Sequence, residues 1–144
     1  MKTIELHENG LDIQFRIREN GVVELADFSS QEVKKAVMEP KEDICYPAVE
    51  IHRSGTGSLN MHAYKNNINQ SSVDFVYENH ELKAQDGGKE LEIVMVSPEK
   101  LKAVYHMRLF DGVPAVQTWT EIINEGSEDQ GLTYVSSFMY QGIS

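Results

Sequence analysis

The feature that most constrains this sequence is a period-two alternation of apolar and polar residues, which recurs along most of its length. Residues 11–18 read LDIQFRIR, and all four apolar residues of this segment fall on one face of an extended strand. Residues 101–110 read LKAVYHMRLF and repeat the pattern. Because successive side chains of a strand point to opposite faces, such alternation is typical of strands with one face in a core.

Short turn signals separate these extended segments. Asn-Gly at 20–21, Asp-Gly-Gly at 86–88 and Asp-Gly at 111–112 tolerate the positive φ angles that tight reversals need. Residues 33–37 have some helical character, which Pro40 ends. The segments predicted as extended span residues 11–18, 22–28, 46–51, 72–78, 80–85, 89–96, 101–110, 115–123 and 132–140. The pattern predicts an all-β fold with little helix, in which roughly nine or ten antiparallel strands form a sandwich or barrel.

The length of the chain limits the architecture further. Its 144 residues suit one domain with a real core, whereas a (β/α)₈ barrel needs roughly 200 to 250 residues. We therefore expect residues 1–144 to form a single domain. Because only residues 141–144 follow the last predicted strand, without a polar tail, we expect this domain to be part of a longer polypeptide.

Charge and composition exclude several classes of partner. The formal net charge of −10 disfavours nucleic acid and anionic membrane, since both attract basic surfaces. There is no apolar run approaching the ~20 residues of a membrane span, and residues 1–10, MKTIELHENG, do not resemble a signal peptide. The single cysteine, Cys45, cannot form an internal disulfide. We expect a cytoplasmic protein.

Residues that could carry chemistry are scattered along the sequence. Glycoside hydrolysis usually needs two carboxyl groups that flank the scissile bond, but most acids, among them Glu90 and Glu92, fall in turns or on strand positions expected to face solvent. His52 and His62 are ten residues apart, without the short spacing that zinc ligands prefer. The sequence therefore predicts no catalytic residue, no metal site and no cofactor.

Two other features have more than one interpretation. Trp119 is the only tryptophan; its place in a strand rich in Val, Thr and Ile favours a core position, with a sugar-stacking platform as the alternative. The segment 53–67, RSGTGSLNMHAYKNN, is the longest loop-like stretch, and long loops on a rigid scaffold often carry function. An ordinary surface loop is the alternative. The candidate substrate-binding residues in and beside it are His52, Arg53, His62, Tyr64 and Asn66.

The last third of the chain resembles a known family. Residues 110–120 read FDGVPAVQTWT and continue as EIINEGSEDQGLTYVSS. This order of strands and turns, with KELEIVMV at 89–96 before it, resembles the N-terminal region of family 36 glycoside hydrolases, the bacterial α-galactosidase family. The resemblance covers about residues 89–142 and rests on the ordered set of segments rather than on any one of them.

The resemblance implies a large multidomain enzyme that hydrolyses terminal α-galactosides with retention. In that family an N-terminal β-supersandwich of the galactose-mutarotase-like type precedes a (β/α)₈ barrel, which holds both catalytic aspartates, and a small β domain follows. The N-terminal domain packs on the barrel, supports oligomerisation and in some members lends a loop to the active site. No residue of this chain inherits a catalytic role, and the 53–67 loop does not match a substrate-contacting loop residue by residue.

The sequence therefore predicts a non-catalytic accessory domain, with two alternatives. One is an autonomous carbohydrate-binding module. The other is a small mutarotase-like enzyme, which needs a His/Glu acid–base pair on a concave sheet. His106 and Glu121 are the strand-borne candidates for that pair, although the chain is short for such an enzyme.

Overall fold

The structure is a computed structural model, and it describes residues 2–31, 47–49, 51–53, 74–126 and 132–138. Nine strands lie within these residues: β1 (Lys2–Glu8), β2 (Leu11–Ile17), β3 (Val23–Ser30), β4 (Ile51–Arg53), β5 (Val76–Gln85), β6 (Gly88–Val96), β7 (Leu101–Phe110), β8 (Val113–Asn124) and β9 (Leu132–Val135). They form a three-stranded sheet β1-β2-β3, a four-stranded sheet β5-β6-β7-β8 and a pair β4-β9. The predicted all-β antiparallel sandwich is confirmed.

Most predicted strands and turns have the expected position. β7 begins and ends at the residues predicted from the alternation. The predicted turn at 20–21 connects β2 to β3, and the predicted turn at 111–112 connects β7 to β8. One prediction was wrong: residues 76–78 of the first segment and the segment 80–85 belong to a single strand, β5, whose pairing with β6 shifts between Tyr77 and Asn79. The helical signal at 33–37 lies outside the described residues. Within the described ranges, no helix has both the length and the apolar character to cross a bilayer.

The core lies between the three-stranded and the four-stranded sheet. Phe15 on β2 and Tyr105 on β7 are fully buried side chains that meet edge to face, with ring centroids 5.6 Å apart and an interplanar angle of 68°. Edge-to-face contact suits the charge distribution of aromatic rings. Around this contact pack the apolar residues of one face of each sheet, including Ile13, Leu91 and Met107. The alternation of apolar and polar residues in the sequence thus places the apolar side chains on one face of each sheet, and that face is buried.

Polar contacts join the two sheets at both ends. At one end the backbone N–H of Gly112 donates to Asn9 Oδ1 at 2.9 Å, and Lys89 forms an ion pair with Glu8. At the other end the N–H of Tyr77 donates to the carbonyl of Gly21 at 2.8 Å. These contacts fix how the sheets lie over each other, because apolar packing alone is not directional.

A buried ion pair joins β2 and β3. Glu24 is fully buried and lies directly across from Arg16. Its carboxylate accepts from Arg16 Nε at 3.1 Å and from Arg18 Nη1 at 3.3 Å. A buried carboxylate is tolerated only when it is paired in this way, so these contacts constrain the register of the hairpin.

Replacing Phe15 with alanine tests the packing between the sheets. We expect Phe15→Ala to lower the free energy of unfolding by about 3–5 kcal/mol, because it leaves a cavity beside Tyr105. Urea denaturation followed by circular dichroism measures the loss. The control is Leu82→Ala, since Leu82 is 42% exposed and a surface change should stay within about 0.5 kcal/mol. Equal losses for the two variants would contradict this account of the core.

The β2–β3 turn gives a second prediction. Gly21 has φ +89°, and a Cβ built there would lie 2.7 Å from Val76 Cβ, whereas Gly10 has φ +80° with nothing within 4 Å. Gly10→Ala should therefore cost only the backbone strain, ~1–2 kcal/mol. Gly21→Ala should cost about 1–3 kcal/mol more, because the new methyl group overlaps β5. Thermal unfolding of both variants measures the difference, and an equal shift would show that the turn does not contact β5 closely.

Candidate functional site

A polar cluster lies on the face of the four-stranded sheet that points away from the core. Tyr105 and Met107 are core residues, so His106 between them projects from the opposite face. The strand register places Glu92 of β6 on one side of His106 and Trp119 of β8 on the other. Three neighbouring strands thus contribute to one cluster, which we call the His106 cluster: Glu90, Glu92, His106, Trp119 and Glu121.

The imidazole of His106 lies between carboxylates on two sides. Its Nδ1 is 3.4 Å from Glu90 Oε2 and 3.6 Å from Glu92 Oε1, and its Nε2 contacts Glu121 Oε1. These contacts lack hydrogen-bond alignment, so neither ring nitrogen has a hydrogen-bond partner among the described residues. Both nitrogens are buried, and a buried polar atom without a partner costs free energy.

Trp119 covers the histidine. The two rings are stacked, with centroids 4.7 Å apart and an interplanar angle of 6°, and His106 is only 5% exposed. The interpretation of Trp119 as a core residue was wrong, because Trp119 is paired directly across from His106 on the face opposite the core. Trp119 lies on this face because side chains alternate along β8 and because Trp119 pairs with His106 of β7.

Lys83 of β5 extends the cluster with a positive charge. Its Nζ donates to Glu92 Oε2 at 3.2 Å, and this bond to Glu92 raises the pKa of Lys83. Burial opposes ionisation of Glu92, but the hydrogen bond from Lys83 contributes to holding the pKa of Glu92 below its usual range. Glu92 therefore uses one carboxylate oxygen for Lys83 and turns the other towards His106.

This geometry limits the chemistry of the cluster. Glu90 and Glu92 converge on the same ring nitrogen, whereas the carboxyls of a glycosidase face each other across the space that holds the scissile bond. His106 and Glu121, the proposed acid–base pair of a mutarotase-like enzyme, are in contact as that hypothesis requires. However, the ring is buried beneath Trp119 and both nitrogens face carboxylates, which leaves neither of them open to a sugar hydroxyl.

Of the residues predicted as substrate-binding, only His52 and Arg53 lie in the described part of the chain. His52 and Arg53 belong to β4, where their backbones pair with Tyr134 and Leu132 of β9. His62, Tyr64 and Asn66 lie outside the described residues, so the role of the 53–67 loop stays a prediction. The expectation that Glu90 faces solvent was wrong, since this side chain is buried, and Glu92 is half-buried.

The sequence reasoning missed the His106 cluster as a whole because its members come from different strands. The search for metal ligands considered His52 and His62, and His106 was paired only with Glu121, whereas Glu90 and Glu92 lie on the adjacent strand β6. One signal was present: Glu90, Glu92, His106 and Arg108 all occupy polar positions of otherwise apolar alternations. Only the pairing of β6 with β7 shows that these positions share a face.

Comparison with known proteins adds the fold but no family assignment. No family model and no curated protein matches the sequence. Among solved structures, the chain is similar to the GH36 α-galactosidase AgaA from Geobacillus stearothermophilus, determined as a doubly substituted variant in complex with raffinose, with a TM-score of 0.54 and 10% sequence identity. The match covers 87% of this chain and 22% of the enzyme. The likeness is one of fold.

The stacked pair gives a prediction that uses Trp119 as a reporter. His106→Gln removes the ring that covers the indole, so we expect the emission of the only tryptophan to change in intensity and shift to longer wavelength as water reaches it. The control is His80→Gln, because the ring of His80 contacts Tyr77 on β5 rather than Trp119. This variant should leave the tryptophan emission unchanged. Steady-state fluorescence measures both variants, and an unchanged spectrum for His106→Gln would contradict the stack.

Proposed function

We propose that this chain is a non-catalytic β-sandwich domain of an α-galactosidase-type glycoside hydrolase, which packs on a (β/α)₈ catalytic barrel of the same polypeptide. The observation that carries the proposal is the fold likeness to AgaA, because 87% of this chain matches a part amounting to 22% of that enzyme. A domain that corresponds to about a fifth of an enzyme is expected to serve the remainder rather than to act alone.

The sequence and the surface of the chain support the same proposal. The segment FDGVPAVQTWT, on which the family resemblance rests, covers the end of β7, the turn and most of β8. β8 is an edge of its sheet within the described residues, and it exposes Val113 and Ile123. An edge strand with exposed apolar side chains is suited to contact with another domain or another copy of the chain.

The chemistry of the described residues is also consistent with a supporting role. The carboxylates of the His106 cluster converge on a buried imidazole and do not flank an open space. In this proposal the barrel supplies both catalytic carboxyl groups, the substrate is an α-galactoside, and the 53–67 loop reaches the sugar site. The proposed partners are thus the barrel and further copies of the same chain.

Activity assays test the proposal. The 144-residue chain is expected to release no product from p-nitrophenyl α-galactoside or raffinose, whereas the polypeptide encoded by the same reading frame extended beyond residue 144 should hydrolyse both, because the catalytic carboxyls lie in the added barrel. Calorimetric titration of the 144-residue chain with galactose is expected to show no heat of binding.

Three outcomes would contradict the proposal. Hydrolysis by the 144-residue chain would place the catalytic groups inside this domain. Specific galactose binding by that chain would favour the autonomous carbohydrate-binding module. A reading frame without a following barrel would remove the partner that the proposal requires.

A further inference from the structure

We propose that Glu90, Glu92 and His106 form a binding site for a divalent transition-metal cation, and that Zn²⁺ is the ion that the donor set fits best. Nothing in the proposed accessory role requires this site, which lies on the sheet face opposite the core. Each of the three residues offers one ligand atom, and these atoms all lie within 4.8 Å of one another. The site is built from β6 and β7, two adjacent strands of the sheet.

The two separations from the histidine match those of a tetrahedral site. Two ligand atoms that each lie ~2.1 Å from a tetrahedral zinc ion are about 3.4 Å apart. The observed separations from His106 Nδ1 are 3.4 Å to Glu90 Oε2 and 3.6 Å to Glu92 Oε1. An ion at the centre of these atoms would therefore need only small side-chain movements. The three protein ligands would leave the fourth position for water.

The buried histidine is an independent indication of a ligand. His106 is only 5% exposed, and its Nδ1 points at two carboxylates without a hydrogen-bond partner among the described residues. A lone pair that faces two carboxylate oxygens is repelled by both, unless a cation lies between them. A metal ion at Nδ1 would satisfy the histidine and both carboxylates at once.

Glu121 would orient the ligand. It contacts His106 Nε2, the ring nitrogen on the side away from Glu90 and Glu92. A carboxylate beside Nε2 favours the neutral tautomer that carries its proton on Nε2, which leaves Nδ1 free to bind a metal, and carboxylates are common beside metal-bound histidines. Trp119, stacked on the ring, would limit its rotation and keep water from one face.

The donor chemistry favours zinc over the hard cations. Ca²⁺ and Mg²⁺ prefer six or more oxygen ligands, whereas one imidazole with two carboxylates suits Zn²⁺. Lys83 does not compete for the same atoms, because it binds Glu92 Oε2 while Oε1 faces the histidine. It offsets part of the negative charge that the cluster has without the metal.

Zinc titration of the whole chain tests this site. The protein is first dialysed against EDTA and then titrated with ZnCl₂, while heat and the fluorescence of Trp119 are recorded. We expect one equivalent to bind with a change in emission, because the metal would bind the ring that stacks on the only tryptophan. EDTA should reverse the change.

Matched variants identify the ligands. Glu90→Gln and Glu92→Gln keep the side-chain size and should each weaken zinc binding at least tenfold. Glu121→Gln should weaken it roughly 10–100-fold, as for other groups that orient a ligand. The control is Glu81→Gln, because Glu81 on β5 lies directly across from Glu92 but is exposed. The zinc affinity of this variant should equal that of the unchanged chain.

The proposal fails in three cases. Absence of zinc binding would mean that His106 and the two carboxylates do not form a metal site. Binding without a change in Trp119 emission would place the ion at another histidine. Equal affinity in Glu90→Gln, Glu92→Gln and the control would exclude these carboxylates as ligands. Circular dichroism of each variant checks that the fold is retained, so that a loss of binding can be assigned to the missing ligand.

Discussion

The structure depends on one constraint: each sheet has a single apolar face, and the two faces must cover each other. Neither sheet would be stable alone in water, because its apolar residues would remain exposed. The contact of Phe15 with Tyr105 joins two fully buried side chains across this interface. Contacts at both ends, from Gly112 to Asn9 and from Tyr77 to Gly21, determine the relative position of the sheets.

The same constraint leaves the other face of the four-stranded sheet available for polar groups. β7 is an inner strand of that sheet, and all of its residues are buried or half-buried. Its alternation directs Tyr105 to the core and His106 to the opposite face. The packing of the sandwich thus holds the imidazole rigidly, while β6 and β8 supply carboxylates on both sides of it.

The fold likeness and the His106 cluster support two different inferences. The likeness to a part of AgaA concerns the arrangement of strands, and a fold by itself does not establish function. The accessory role is therefore inferred from what a domain of this kind does within a larger enzyme. The proposed metal site, by contrast, is argued from the distances and burial of three side chains and stands whether or not a barrel is present.

The sequence alone determined the strand-rich class, most turns and the apolar faces of strands such as β2 and β7, because alternation and Asn-Gly or Asp-Gly pairs act locally. It missed β1, which was not among the predicted segments. It did not determine that Trp119 lies outside the core, that Glu24 is buried between arginines or that Glu90 contacts His106. Each of these depends on which strands pair and in which register, and strand pairing joins residues that are distant along the chain. Only the tertiary structure decided them, since a side chain's surroundings in a sheet come from its neighbours across strands.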